Sequence, residues 1–466
     1  MQVFQRVNVV GAGLAGSEAA LVLARAGIAV RLIEQKPDAK TPAQVLEGPA
    51  ELVCSNSFRS NNPINAVGLI KEELRLLDSP LMALAEEHRV AAGDALAVDR
   101  DAFSEGVGRA LEAEPLIELE ARCIESWDED PDNPWILATG PLTADGLAQR
   151  LQQELGPSCA FYDSIAPIVE ADSLDLSVIY ALSRYGKGDG ADYLNIPLSK
   201  DQYEVFIDAV LAAPKVTPHS FEKAKYFEGC LPLEEVAKRG RESLRFGAMK
   251  PVGLPNPSTG REPYAVVQLR SENQGRTAFN MVGFQTRMSW GAQTEVLRSL
   301  PGMAQAKFLR LGVVHRNTYV DAPRVLNDQL ALHNHPHVHL AGQITGCEGY
   351  VESLSVGHMM ALLLVRQGRG LSWQAPPLTT ALGALWGHLR GAMRAKGMPH
   401  EPNNIHWGLV QPLQERLPKK IRKQRRVDVA RQEFSAWAAA GSASGAGEPL
   451  HFQAETEPQT GSEITL

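Results

Sequence analysis

The sequence predicts an α/β fold in which a parallel sheet starts at the N-terminus and resumes late in the chain, with an inserted α+β domain between. Three observations predict it. Val7 to Val10 form an apolar run ending at Gly11, and the helical pattern of Leu14 to Ala26 closes at Gly27. A second apolar run, Ala29 to Ile33, ends in Glu34 and completes a βαβ unit. From about Tyr185 to Val320 the texture changes to many prolines and short turn-separated strands such as AVVQLR and FNMVGFQ, and strand–helix alternation resumes near Tyr319.

The remaining elements follow in order. Gln44 to Asn62 reads as loop, and Ala66 to Leu77 as an amphipathic helix. Trp135 to Ala138 is a short strand running into Thr139 and Gly140, with a helix beginning near Ala144. HVHLAGQ is a strand leading into a helix near Val351 to Val365. The division expected is a discontinuous nucleotide-binding domain over 1–184 and 321–436, closing in a basic helical segment. An inserted substrate domain fills 185–320, and 437–466 is a tail disordered by composition.

Composition narrows the function classes. Hydrophobic residues make up 44% and charged residues 21% of 466, which suits a chain able to bury a large core. No apolar stretch approaches the ~18 to 20 residues needed to span a bilayer. The opening residues run into VNVV without a charged, apolar leader, so the expected home is the cytoplasm. Five scattered cysteines without CxxC spacing fit a reducing compartment rather than a disulfide framework or a zinc site. A net charge of −8 argues against a protein coated in nucleic acid, yet Arg416, Lys419, Lys420, Arg422, Lys423, Arg425, Arg426 and Arg431 form a local basic segment.

Gly11, Gly13 and Gly16 form GxGxxG between a strand and a helix. Gly11 makes the tight turn, Gly13 admits a pyrophosphate against bare backbone, and Gly16 lets helix and strand pack closely. Ala12, Leu14 and Ala15 complete the phosphate turn, and Glu34 is placed to accept from ribose hydroxyls. Ala138, Thr139 and Gly140 resemble the second strand signature of two-dinucleotide-type flavoproteins. Gly342, Gln343 and Gly346, followed by the helix that begins near Tyr350, resemble their late flavin motif, with Gln343 where that motif carries Asp. A Rossmann-like start with a late return to the same fold favours FAD over NAD. No second fingerprint for a nicotinamide follows a strand.

Two thiols stand out. Cys54 lies in ELVCSNSFRS, where an apolar run gives way to small polar residues. Cys230 lies just upstream of a helix start marked by Pro232, Glu234 and Glu235, where a helix dipole raises the thiolate fraction. Cys123 sits in a strand-like run, and Cys347 reads as packing. The run HNHPHVHL brings His337 and His339 to one strand face, but Pro336 interrupts it and no neighbouring acid or thiol completes a tetrahedral set, so no metal is expected.

Together GAGLAGSEAA, LVCSNSFRS, LATGPLT, SRYGKGD, YFEGCLP, MKPVGL, VGFQT, HRNTY and GQITGCEGYVES resemble the folate- and FAD-dependent tRNA (uracil-5-)-methyltransferases, over about residues 6 to 431. PNNIHWGL is included, with His406 where that family has asparagine. The resemblance implies methylation of uridine 54 in the tRNA T-loop to ribothymidine. Methylenetetrahydrofolate is the implied carbon donor, with reduced FAD as carrier and reductant and NADPH or NADH recharging it. Carbon-5 of uracil becomes nucleophilic once a thiolate adds at carbon-6, and a base must then remove the carbon-5 proton. Cys230 is the expected nucleophile and Cys54 the acid or base, and the roles can be exchanged. The resemblance also implies Tyr350 as a cofactor contact and Arg184, Lys187 and Lys250 as contacts to folate or RNA phosphate. With tRNA as partner, the Arg416 to Arg431 segment becomes a backbone-contacting surface, no membrane partner is expected, and a monomer is compatible with the sequence. The competing assignments are the longer, related flavoprotein that modifies the wobble uridine, and a non-catalytic flavin-containing RNA-binding protein.

Overall fold

In the computed structural model, Val7–Val10 sits at the centre of a five-stranded parallel sheet in the order Val338–Leu340, Trp135–Leu137, Val7–Val10, Val30–Glu34, Ile117–Ala121. The structure describes residues 4–41, 44–156, 159–216, 231–392, 400–415 and 417–443. All four residues of VNVV are buried, as a strand covered by helices on both faces requires. The helices Leu14–Arg25 and Tyr350–Gly368 press together with backbone nearly touching. A Cβ on Gly357 would lie 2.1 Å from the Ala15 carbonyl oxygen, so only glycine fits there.

A second sheet of six strands is wholly antiparallel. Its order is Tyr180–Ala181, Tyr193–Leu198, Ala265–Ser271, Ala278–Met281, Ile168–Glu170, Phe308–Arg310. Two of these strands precede residue 185, so the sheet draws in chain from Ile168, earlier than the boundary expected. They are two and three residues long, too short to stand out by alternation. Phe206, Ile207, Phe284 and Leu297 are among the residues of its own core.

Cys159–Ser164 and Val314–Tyr319 pair antiparallel along their length and carry the chain out of the first unit and back. A third small sheet, Ser57–Ser60, Ala95–Val98 and Arg89–Val90, occupies part of the stretch expected to be loop. Ser57–Ser60 finds its partner far along the chain and with a register shift, so no local pattern announces it. Asn56, fully buried beside it, joins the units: its amide donates to the Val98 and Ser271 carbonyls at 2.9 Å each, and its oxygen accepts from Arg270 Nε at 2.8 Å.

The C-terminal helix Lys419–Ala443 runs past the expected tail boundary at 437, anchored by Trp437 Nε1 donating to the Gln374 carbonyl at 2.9 Å. Several of its cations are spent on docking it. Arg426 donates to the Trp407 and Val410 carbonyls and stacks on the Trp407 ring, and Arg431 pairs with Glu72. Among the described residues no helix is long and apolar enough to cross a membrane.

Candidate functional site

A cavity of about 410 Å³ opens at the carboxyl ends of the parallel strands, where α/β sheets bind ligands. Its floor is the first glycine turn. Gly11 has φ +96°, and a Cβ there would meet the Ala138 carbonyl at 2.7 Å; on Gly16 one would lie 1.9 Å from the Gly11 carbonyl. Gly13 differs: a Cβ there meets nothing, because the glycine faces open cavity. Gly140, at φ +68°, also faces open space. Glu34 lines the wall and accepts from the Ala12 amide at 2.6 Å and the Lys36 amide at 3.1 Å; a carboxylate of about four acceptor sites has capacity left.

A second turn follows the edge strand Val338–Leu340. Gly342 (φ +76°) and Gly346 (φ +87°) bracket one turn of 3₁₀ helix, and Gly349 (φ +105°) begins the helix Tyr350–Gly368. Gly342 touches the first helix, where a Cβ would lie 2.8 Å from Ala15 Cβ. Gln343 stands in the wall and donates to Glu348 at 2.8 Å. Neither Gly13 before the first helix nor Gly349 before the second is joined by a side-chain cap, so first-turn amides of both helices are left for a ligand. Donors of that kind, with two glycines facing open space, fit the diphosphate and carbonyl oxygens of a flavin dinucleotide.

Cys54 lies on the same wall. The loop carrying it is tied to the second helix by the Tyr350 hydroxyl, which accepts from the Cys54 amide at 2.7 Å and the Ser55 amide at 3.0 Å. Burial pushes the Tyr350 phenol well above its usual range, and the neighbouring Cys54 adds to that. Two guanidiniums hold the residues just before the thiol. Arg100, ion-paired with Glu272, donates to the Leu52 carbonyl, and Arg310 donates to the Val53 carbonyl at 2.9 Å. Arg310 is pushed below its usual pKa by burial and then by Arg100; at Arg100 burial pulls down hardest, but Glu272, Tyr350 and Cys54 together carry it above its usual value.

Arg59, also in the wall, has φ +65° and pairs with fully buried Glu352 on the first turn of the second helix. Lys71 fixes that strained backbone by donating to the Phe58 carbonyl at 2.8 Å and the Arg59 carbonyl at 3.0 Å. Burial, then Arg59, pushes Lys71 down to about 7.

Of the residues singled out in the sequence, Gly11, Gly13, Leu14, Ala15, Glu34, Gly342, Gln343, Tyr350 and Cys54 line this one cavity. Ala12 and Gly16 serve the turn from behind, and Gly346 packs away, its Cβ position 2.3 Å from His400 Nε2. Arg184, Lys187 and Lys250 are not in the wall: Arg184 is engaged by the Val252 and Lys250 carbonyls, and Lys187 pairs with Asp94. Cys230 lies outside the described residues. Just after it, the Leu233 amide donates at 2.8 Å to the carbonyl of Gln285, a cavity residue of the second unit.

Cys123 is not in a strand but exposed beyond one, lining the cavity, and Cys347 is buried and its thiol pushed up by burial. Acids do lie near the histidine run, reached from elsewhere in the chain. His335 contacts Glu129 at 2.8 Å and Glu154 at 3.2 Å, a polar cluster; no metal-holding group of three or more is found among the described residues. Sequence reading did not single out Arg59, Arg100, Arg310 or Asn404. Arg59 and Asn404 stand inside strings that carry the family resemblance, LVCSNSFRS and PNNIHWGL; Arg100 and Arg310 have no local signal.

Comparison with known proteins gives a consistent result. The family model described as glucose inhibited division protein A matches residues 6–372. A Myxococcus xanthus protein named methylenetetrahydrofolate--tRNA-(uracil-5-)-methyltransferase TrmFO is 49% identical over 96% of this chain and 98% of its own. A Geobacter sulfurreducens protein of the same name is 51% identical over 93% of this chain and 99% of its own. Among solved structures, Aquifex aeolicus GidA superposes with a TM-score of 0.66 over 94% of this chain and 73% of its own, at 14% identity, a likeness of fold.

Proposed function

Because this chain belongs to the methylenetetrahydrofolate--tRNA-(uracil-5-)-methyltransferase family, we propose that it methylates carbon-5 of a uridine in tRNA with methylenetetrahydrofolate as carbon donor. The finer reading is uridine 54 of the T-loop, giving ribothymidine, with FAD resident in the cavity and NADPH or NADH as the electron source, in the cytoplasm. The observation that carries it is Cys54, a thiol set in the wall of a cavity built from both glycine turns. Bound FAD, when reduced, supplies the electrons that take a one-carbon unit from the formaldehyde level to the methyl level.

The protein's own groups do the rest. The Gly11–Gly16 turn and the open first turns of the two helices bind phosphate and ring oxygens. Glu34 holds the ribose. A thiolate adds to carbon-6 of uracil, and carbon-5 then bonds to the donated carbon. A base takes the carbon-5 proton as the donated carbon's bond to its carrier nitrogen breaks, leaving a methylene on the ring. That methylene takes up a hydride equivalent to become the methyl group, and the thiolate leaves as the ring double bond reforms. Cys230 is assigned the addition and Cys54 the proton. The base must leave its stack to enter a cavity bordered by both units, so the target uridine is flipped out.

The test is to incubate FAD-loaded protein with unmodified tRNA, methylenetetrahydrofolate and NADPH, and to map ribothymidine. Ribothymidine at position 54 is expected, and Cys54→Ala should lower its rate by at least about 100-fold, the low end for acid–base groups. Replacement of folate by S-adenosylmethionine, or no product, overturns the assignment. On tRNA carrying 5-fluorouridine, Cys54→Ala should still form a covalent adduct and Cys230→Ala should not; the reverse result exchanges the two roles.

A further inference from the structure

We propose that Tyr185 is a stacking platform for an unpaired base of the tRNA, outside the cavity, a reading that rests on the function proposed above. Tyr185 is 65% exposed, yet its own backbone is strained. Its φ of +59° and ψ of 27° put a bulky residue in the left-handed region, which persists only where the surroundings enforce it.

Those surroundings are visible. The Tyr185 amide donates to the Gly253 carbonyl at 3.1 Å. The ring lies directly on Gly253, where a Cβ would come within 2.5 Å of it, so glycine is required beneath it. Arg184 next door spends its guanidinium on the Val252 and Lys250 carbonyls and on Gln268. The Ser183 amide closes the loop on the Gly190 carbonyl at 2.7 Å. The Gly93 amide ties it to the other unit through Asp192 at 2.5 Å. Fixing an aromatic ring in this way and then leaving it in water gives the fold nothing; presenting a flat face at low entropic cost gives a ligand a great deal.

The neighbours specify the ligand. Lys250 is exposed on the segment that seats the ring, Val252 is 41% exposed beside it, and Phe246 is 72% exposed four residues before Lys250. Lys187, two residues past Tyr185, is half-exposed and shared with Asp94. The acid facing this seat, Glu262, is occupied by the Gly253 amide at 2.6 Å. Aromatic faces flanked by lysines are the pattern that binds single-stranded nucleic acid through stacked bases and phosphates.

The test compares tRNA binding and ribothymidine kinetics of the FAD-loaded wild type with Tyr185→Phe, Tyr185→Leu and Tyr185→Ala. Removing one stacked base contact should raise Kd and KM for tRNA about tenfold in Leu and Ala, while Phe stays within twofold. FAD content and KM for folate should match wild type. Leu keeps bulk over Gly253 without an aromatic face, so it reports on stacking if Ala disturbs the loop. Wild-type affinity in Leu and Ala, equal loss in Phe, or a change confined to KM for folate would each overturn the platform. So would an unchanged tRNA affinity with loss of a protein partner. A wild type that does not bind tRNA would instead defeat the function from which this inference starts.

Discussion

The two glycine turns that meet at the cavity do similar work by different means. In the first, Gly11 and Gly16 are closed off by the turn itself and the adjoining strand, at the Ala138 and Gly11 carbonyls. In the second, the space around Gly342, Gly346 and Gly349 is taken by Ala15, His400, Glu352 and Asn404, from the first helix, the second helix and a distant C-terminal segment. The first turn is nearly self-contained, so a spacing of six residues specifies it. The second is a junction, and its glycines make sense only when three other parts of the chain are in place.

The sharpest break in that comparison is a matched pair. Gly16→Ala drives a Cβ into the Gly11 carbonyl, a backbone atom that cannot rotate away, and should cost at least about 3 kcal/mol in urea unfolding of the protein. Gly13→Ala meets nothing and should unfold within about 1 kcal/mol of wild type, yet lose FAD affinity about tenfold or more, because the new methyl stands where a diphosphate must approach. Equal stability losses in the two would erase the distinction.

The junction character of the second turn predicts a smaller, rescuable effect. Gly346→Ala places a Cβ 2.3 Å from the His400 ring at φ +87° and should cost about 2 kcal/mol. Combined with His400→Ala it should recover at least about 0.5 kcal/mol relative to the sum of the single changes, the coupling that residues in contact display.

The last effect appears only in acid. His339, on the strand that feeds the second turn, is buried with Nδ1 3.1 Å from the Gln329 carbonyl, and burial pushes its pKa down to about 4. Its unfolded value is about 6.5, so the unfolded chain binds the extra proton first. The stability tied to a neutral His339 is fully present above pH 6.5 and is lost as pH falls to about 4, by up to about 3 kcal/mol. His339→Asn should therefore show a flatter decline in unfolding free energy between pH 6.5 and 4 than wild type.

This contrast also explains what could be read in advance. The βαβ start, the late strand and helix, and the cavity residues Gly11, Gly13, Glu34, Gln343 and Tyr350 all follow from local spacing or family strings. Ser57–Ser60 did not, because its partner strand and the Asn56 bridge come from residues 95–98 and 270–271. Arg100 and Arg310 were equally silent: a guanidinium that holds the Leu52 or Val53 carbonyl has no signature around position 100 or 310. The basic C-terminal segment was legible as charge, but Arg426 and Arg431 turned inward to Trp407 and Glu72.

The hydrogen bonds from Cys54 and Ser55 to one phenol make the thiol loop and the second helix a single lever. Tyr350 is the first residue of that helix, so whatever presses on the helix entrance is felt at the thiol without any intervening loop to absorb it. Asn56, two residues further on, carries the other end of the lever into the second unit. Alignment of the thiol is thus geared to both halves of the molecule at once, and its sulfur is positioned by the seating of whatever lies between them.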